Sequence, residues 1–333
     1  MAKEVYKFGR NITWSIPVLF QYEIVWGAIF HHFKESFIEL PRVNGYGSPR
    51  CLWTGGRPPV VRNELDKATL FRIFTYLEHI KLTPSFTFTC TQLTEDDLND
   101  RYSNYLLDMA LDVGAHFIVY DDRLKNHIRE KKSDAYVVSS VIKPAVRFQG
   151  ASKIEMPTVE NETEMYNKLL KEYDMVVVRP EYSSTVLLEH PEYIDDISRI
   201  EVLINQPCVR ECPRVADHYR HMEGYRLDIN EKVPRFECIR RSMKADAILE
   251  NTLCHDDETV MKLVEHGVRH LKLQGRGSSM ASIVLAAVLY GQIFRQDGPN
   301  NLHLMGILDD MVDREMRFFQ ESILQLPSQK TKV

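Results

Sequence analysis

The amino-acid sequence predicts an α/β fold, a (β/α)8 TIM-like barrel with helical extensions at its N-terminal and C-terminal ends. Short apolar runs alternate with helical patterns of ten or more residues, and this alternation is typical of parallel β/α units. Eight such runs follow one another along the chain. No Gly-x-Gly-x-x-Gly motif follows an early strand, which disfavours an open dinucleotide-binding sheet.

The predicted elements divide the 333 residues into three parts. The predicted strands span residues 37–43, 85–91, 116–120, 135–139, 174–178, 199–205, 245–251 and 269–274. The predicted helices include residues 63–79, 97–113, 160–173, 256–266 and 278–294. We therefore expect an N-terminal extension at 1–36, the barrel at 37–295, and a C-terminal helical extension and tail at 296–333.

Polar and apolar residues alternate along three of the predicted strands. A barrel strand sends one set of side chains toward the helices and the other into the lumen, and the helix-facing set must be apolar. The polar set predicted to face the lumen is Thr87, Glu201, Asn205, Lys272 and Gln274, while Val202, Ile204, Leu271 and Leu273 are predicted to lie under helices. Because barrel lumens are usually filled with branched apolar residues, this polar set is unusual.

Two of these polar residues carry opposite charges. Glu201 and Lys272 lie on even-numbered predicted strands, which contribute side chains to the same layers of the lumen, so we expect them to pair. One interpretation is a structural ion pair without a catalytic role. The other is a catalytic pair beneath the mouth of the barrel.

Four cysteines follow the sixth and seventh predicted strands. Cys208 lies just past the sixth strand, Cys212 begins the next helix, Cys238 lies in the connection and Cys254 follows the seventh strand. These positions place four thiols at the C-terminal face of the barrel. Four thiolates suit a [4Fe–4S] cluster or tetrahedral zinc, and the Cys-x₃-Cys spacing favours the cluster. The alternative is that the thiols are buried and inert.

The segment around these cysteines resembles the collagenase-like peptidase family, the U32 group. The matching pieces are the strand at 174–178, the block EVLINQPCVRECPRVADHY, the single Cys238, the segment VEHGVRHLKLQGRG, and the early Gly-Tyr-Gly-Ser and Gly-Gly-Arg runs. The resemblance implies a β/α barrel, a cysteine-bound [4Fe–4S] cluster and, as in several members, oxygen-independent hydroxylation of an aromatic ring or RNA base. The longer Cys-x₆-Cys block of better-known members is absent, which suggests a short, divergent branch.

These observations lead to an iron–sulfur barrel enzyme as the functional hypothesis. Its expected substrate is a small aromatic or polar molecule or an RNA base, and a partner subunit of the same family is a further expectation. The candidate catalytic residues are Glu201, Lys272 and His218; the candidate substrate-binding residues are Asn205, Gln274, Arg276 and Arg57; the candidate metal ligands are Cys208, Cys212, Cys238 and Cys254. A peptidase and a non-catalytic metal-binding subunit are the alternatives, although the sequence contains no known protease signature.

Charge and hydropathy exclude two classes of partner. The chain has 42 Lys and Arg residues against 47 Asp and Glu residues, a formal charge of −5. This balance disfavours duplex nucleic acid and anionic membranes as partners. The N-terminus has no apolar signal-peptide region, and no apolar stretch is long enough to span a bilayer. We therefore expect a cytoplasmic protein.

Overall fold

The computed structural model describes residues 11–17, 19–20, 42–55, 64–147, 158–178, 185–210, 212–223, 236–250, 252–275, 283, 285–287 and 289–290. The strands are β1 (Thr13–Pro17), β2 (Arg42–Gly47), β3 (Leu82–Phe88), β4 (His116–Val119), β5 (Val137–Ser139), β6 (Met175–Val177), β7 (Ile200–Leu203), β8 (Asn205–Val209), β9 (Thr252–Cys254) and β10 (His270–Lys272). The α-helices are α1 (Lys67–His79), α2 (Arg101–Asp112), α3 (Asp122–Lys131), α4 (Ile142–Arg147), α5 (Val159–Glu172), α6 (Val186–Glu189), α7 (Val215–Glu223), α8 (Ala245–Glu250) and α9 (Asp257–Glu265).

Eight of the strands form a closed parallel barrel in the order β1-β10-β7-β6-β5-β4-β3-β2. Every neighbouring pair is parallel, as required when helices connect consecutive strands. The predicted (β/α)8 barrel is therefore confirmed. Among the described residues, no helix has the length and apolar character needed to cross a membrane.

The first barrel strand lies where the sequence predicts an extension. Strand β1 has the sequence TWSIP and pairs with β2 on one side and β10 on the other, so it closes the barrel. The prediction that residues 1–36 precede the barrel is wrong for this segment. A five-residue strand that alternates polar and apolar side chains and ends in proline gives only a weak local signal.

The predicted seventh strand, at 245–251, is also wrong, because residues Ala245–Glu250 form helix α8. The sequence ADAILE is rich in strong helix formers, and its apolar content alone does not distinguish a short strand from a helix. The following strand β9 pairs antiparallel with β8 in a two-stranded sheet outside the barrel. Residues 204–269, called here the β7–β10 insertion, thus separate the last two barrel strands along the chain.

Two apolar clusters lie on opposite faces of the barrel strands. The larger cluster lies between strands and helices and contains Trp14, Phe86 and Phe117. The smaller one lies inside the lumen and comprises Tyr46, Ile118, Val138, Met175, Val177 and Leu203. This separation follows from the period of two in a β-strand, which places alternate side chains on opposite faces.

Candidate functional site

A buried ion pair lies inside the barrel at strands β7 and β10. The Lys272 Nζ atom donates a hydrogen bond to Glu201 Oε2 over 2.6 Å. Glu201 is fully buried and Lys272 is 6% exposed. Their apolar neighbours Val202 and Leu271 belong to the outer core, so the polar residues on the opposite faces point into the lumen. The expected pairing of these two residues is present in the structure.

An aromatic ring completes the surroundings of the lysine. The Lys272 ammonium lies 4.3 Å from the centre of the Tyr46 ring, close enough for a cation–π interaction. The Tyr46 hydroxyl donates to the Leu273 backbone oxygen over 2.6 Å, which fixes the ring against strand β10. Sequence reasoning missed Tyr46 as a site residue, although it lies in the Gly-Tyr-Gly-Ser run that contributes to the family resemblance.

The lumen has one polar wall and one apolar wall. Strand register places Ser15 beside Lys272 and Asn44 beside Ser15, so the polar wall continues around β10, β1 and β2. The residues of strand β3 on this face are also polar, and include Thr87, which is buried as expected. The members of the smaller apolar cluster on β4, β5 and β6 supply the other wall. A molecule with one polar and one apolar side would match this division.

Asn205 and Gln274 lie at the end of the barrel where β7 and β10 finish. The Gln274 amide donates to Asn205 Oδ1 over 2.6 Å, and Asn205 Nδ2 donates to the Gln274 carbonyl over 3.1 Å. Asn205 is the first residue of β8, so the prediction that it belongs to a barrel strand is wrong. Its side chain instead ties the start of the β7–β10 insertion to β10. The buried Gln274 Oε1 atom has no hydrogen-bond partner among the described residues.

The β7–β10 insertion is also tied to the opposite side of the barrel. The carboxylate of Glu223, at the end of α7, accepts hydrogen bonds from the Thr91 amide at 2.7 Å and from Gln92 Nε2 at 2.8 Å. Thr91 and Gln92 follow strand β3, which is remote from β7 in the barrel order. Helix α7 also contacts α4. The insertion therefore reaches across the C-terminal face of the barrel.

The four candidate ligand cysteines all lie in this insertion. Cys208 lies on β8, Cys212 precedes α7, Cys238 precedes a short 3₁₀ helix and Cys254 ends β9; none is in a disulfide. Their thiol chemistry suits iron or zinc. However, within the described parts of the chain no group of three or more His, Cys, Asp or Glu side chains is arranged to hold a metal ion. The expected four-thiol ligand set is therefore not assembled in this structure, and metal binding stays a prediction.

The remaining predicted site residues lie outside the barrel strands or outside the described residues. His218 lies on α7, where its ring stacks on Phe236 at 5.0 Å between ring centres. The Arg214 guanidinium lies 4.5 Å from the centre of the same ring. His218 thus belongs to the internal packing of the insertion. Arg57 and Arg276 lie outside the described residues.

Two histidines lie at the opposite, N-terminal end of the lumen. His116 begins β4 and His270 begins β10, and His270 is the register partner of Glu201. Burial lowers the pKa of His116 to about 4 and also lowers the pKa of His270. Both rings are therefore neutral at pH 7. Sequence reasoning did not assign either histidine to the site.

A separate cavity of about 610 Å³ lies outside the barrel between α3 and α5. Most of its charged side chains are joined in ion pairs: Lys143 contacts Asp122 at 2.7 Å, and Arg123 contacts Asp121 at 2.6 Å. Charges paired in this way favour a structural network at this surface. We therefore assign the candidate site to the lumen.

Comparisons with known proteins add little to this picture. No protein-family model matches the chain, and no curated protein matches it. A solved structure described as that of the U32 peptidase Mk0906 is 12% identical to this chain, with a TM-score of 0.44. The match covers 79% of this chain and 91% of that one. A similarity of this size does not bear on function.

Proposed function

We propose that the protein is a barrel enzyme whose substrate binds at the C-terminal mouth and contacts Lys272. The single observation that supports this proposal is the buried ion pair of Lys272 with Glu201 in the lumen. A buried ion pair is a poor source of stability, because desolvation of both charges offsets their attraction. Lys272 is also the last residue of β10, and the C-terminal ends of barrel strands are where barrel enzymes place their reactive groups.

The two walls of the lumen define the expected substrate. The Lys272 ammonium binds an anionic or carbonyl oxygen of the substrate, in exchange for part of its contact with Glu201. Glu201 holds the ammonium in position, and the Tyr46 ring packs against it. The apolar wall, which includes Ile118 and Val138, receives an aromatic ring or a similar apolar group. The substrate class is therefore a small molecule, or an RNA base, that combines a flat apolar body with a polar edge.

The finer proposal is an iron–sulfur-dependent, oxygen-independent hydroxylase in the cytoplasm. The family resemblance and the presence of four thiols in one insertion support it, whereas their arrangement in this structure does not fit a ligand group. A bound cluster would be held by Cys208, Cys212, Cys238 and Cys254 and would supply redox chemistry beside the mouth. The role of the lumen residues described above does not depend on it.

The lumen part of the proposal is tested by replacing both charges with apolar side chains of similar size. We expect the Glu201→Leu, Lys272→Met double variant to fold but to lose ligand binding, measured by ligand-observed NMR against aromatic carboxylic acids and nucleosides. The matched control is Asp108→Leu with Lys131→Met, which removes an exposed ion pair of the same 2.6 Å length. This control should bind as the natural protein does. Equal binding by both double variants would show that the lumen pair is structural only.

The metal part is tested on protein purified without oxygen. We expect stoichiometric iron and a broad visible absorption that dithionite bleaches. Cys212→Ser should lose both, while Cys90→Ser, a change at a fully buried thiol after β3, should retain them. A colourless protein with zinc would indicate a structural zinc site, and full iron in Cys212→Ser would contradict the proposed ligand set. Peptide hydrolysis that Cys212→Ser abolishes would favour the peptidase alternative.

A further inference from the structure

Three buried polar atoms at the N-terminal end of the lumen have no hydrogen-bond partner among the described residues. They are Glu201 Oε1, His116 Nδ1 and His270 Nδ1. Glu201 is fully buried, whereas both histidine rings are partly exposed. Buried polar atoms almost always have a partner, and each exception requires a physical explanation. These three residues are called here the lumen floor.

The three side chains face one another inside the barrel. His270 and Glu201 are register partners on adjacent strands, with Lys272 one layer above on the same face. His116 lies on β4 and stacks on Tyr136 at 4.2 Å between ring centres. The negative charge of Glu201 favours a proton on either imidazole, and a charge on His270 opposes a proton on His116. The floor is thus one electrostatic unit.

Further charged groups surround this unit. Arg42, at the start of β2, opposes a proton on His270, whereas Asp174, before β6, favours a proton on His116. Asp174 also accepts a hydrogen bond from Arg129 and from the Val137 amide. The Lys272 ammonium contacts the Glu201 carboxylate from the layer nearer the C-terminal end of the barrel. The ion pair therefore determines how much negative charge the histidines experience.

Water is the occupant that best satisfies these atoms. Buried waters typically make about three hydrogen bonds to polar groups that otherwise lack partners. A metal ion is disfavoured, because the described residues include no suitably arranged group of three ligands. His116 and His270 are each partly exposed, so both residues have contact with solvent.

We propose that the lumen floor is a hydrated proton-exchange site that binds a solvent proton more tightly when Lys272 is drawn away from Glu201. The proton comes from bulk water and binds to His116 or His270, and the resulting imidazolium replaces the ammonium as the counter-charge of the carboxylate. No covalent bond between heavy atoms changes. This inference deepens the proposed function, because substrate that engages Lys272 would be bound together with a proton.

The test uses variants that remove Lys272 or Glu201 without any need for the substrate. Titration of the histidine rings by NMR should show that Lys272→Met raises the midpoint of His116 or His270 by about one pH unit or more. Glu201→Gln should abolish this rise when it is combined with Lys272→Met. His127 on α3, outside the barrel, is the internal control and should titrate equally in all proteins.

Unchanged midpoints of both floor histidines in folded Lys272→Met would overturn the proposal. If that variant does not fold, a high-resolution crystal structure of the natural protein decides the question. A water within hydrogen-bond distance of Glu201 Oε1 and of either Nδ1 atom supports the site, and a dry gap refutes it. The titration and the crystal structure do not depend on the ligand-binding test. A negative result for the proton-exchange site can therefore be distinguished from a negative result for the proposed function.

Discussion

A double-mutant cycle on Glu201 and Lys272 measures how much their interaction contributes to the free energy of unfolding. Lys272→Met leaves a fully buried carboxylate without its partner at 2.6 Å. Removal of one partner of a buried pair destabilises proteins by about 3–5 kcal/mol. Replacement of both charges removes the desolvation cost along with the attraction, so Glu201→Leu with Lys272→Met should differ from the natural protein by about 1 kcal/mol or less, or be more stable.

Urea unfolding at pH 7 measures this cycle directly. The free energy of unfolding is determined for the natural protein, both single variants and the double variant, with tryptophan fluorescence as the signal. The exposed Lys131–Asp108 pair provides the comparison, since such pairs contribute about 0.2–1 kcal/mol. A coupling energy in the lumen no larger than that of the surface pair would refute the reasoning, because it would mean that water screens the two charges.

Two further predictions concern acid stability and the β7–β10 insertion. The folded-state pKa of His116, about 4, lies below its unfolded value of 6.5, so stability is complete above pH 6.5 and falls toward pH 4, by up to about 3 kcal/mol. The midpoint of urea unfolding should fall less between pH 7 and pH 5 in His116→Gln than in the natural protein. An equal fall in both proteins would contradict the lowered pKa of His116. Glu223→Ala leaves two donors unpaired and should cost about 2 kcal/mol. Faster exchange of the Thr91 amide and of the amides of α7 would confirm this, and unchanged exchange would refute it.

The amino-acid sequence determined the fold class and the direction of the side chains on the barrel strands. Both depend on local periodicity. The alternation of short apolar runs with helical patterns predicts parallel strands, and the period of two along a strand predicts which side chains face the lumen instead of the helices. Lys272 and Glu201 were predictable for this reason, because Leu271 and Val202 beside them had to face the helices. The positions of the cysteines after two predicted strands made them candidate metal ligands, and the family resemblance added the glycine-rich runs.

Only the tertiary structure decided which strand closes the barrel and which side chains meet. Strand β1 is weak as a local pattern and is stabilised by pairing with β2 and β10 on both sides. His116 lies 85 residues before Glu201 in the chain, yet the closed barrel places both in one electrostatic unit. Contacts of this kind depend on register and closure around the whole ring of strands. Because no local segment of sequence specifies that register, the lumen floor became visible only in the folded chain.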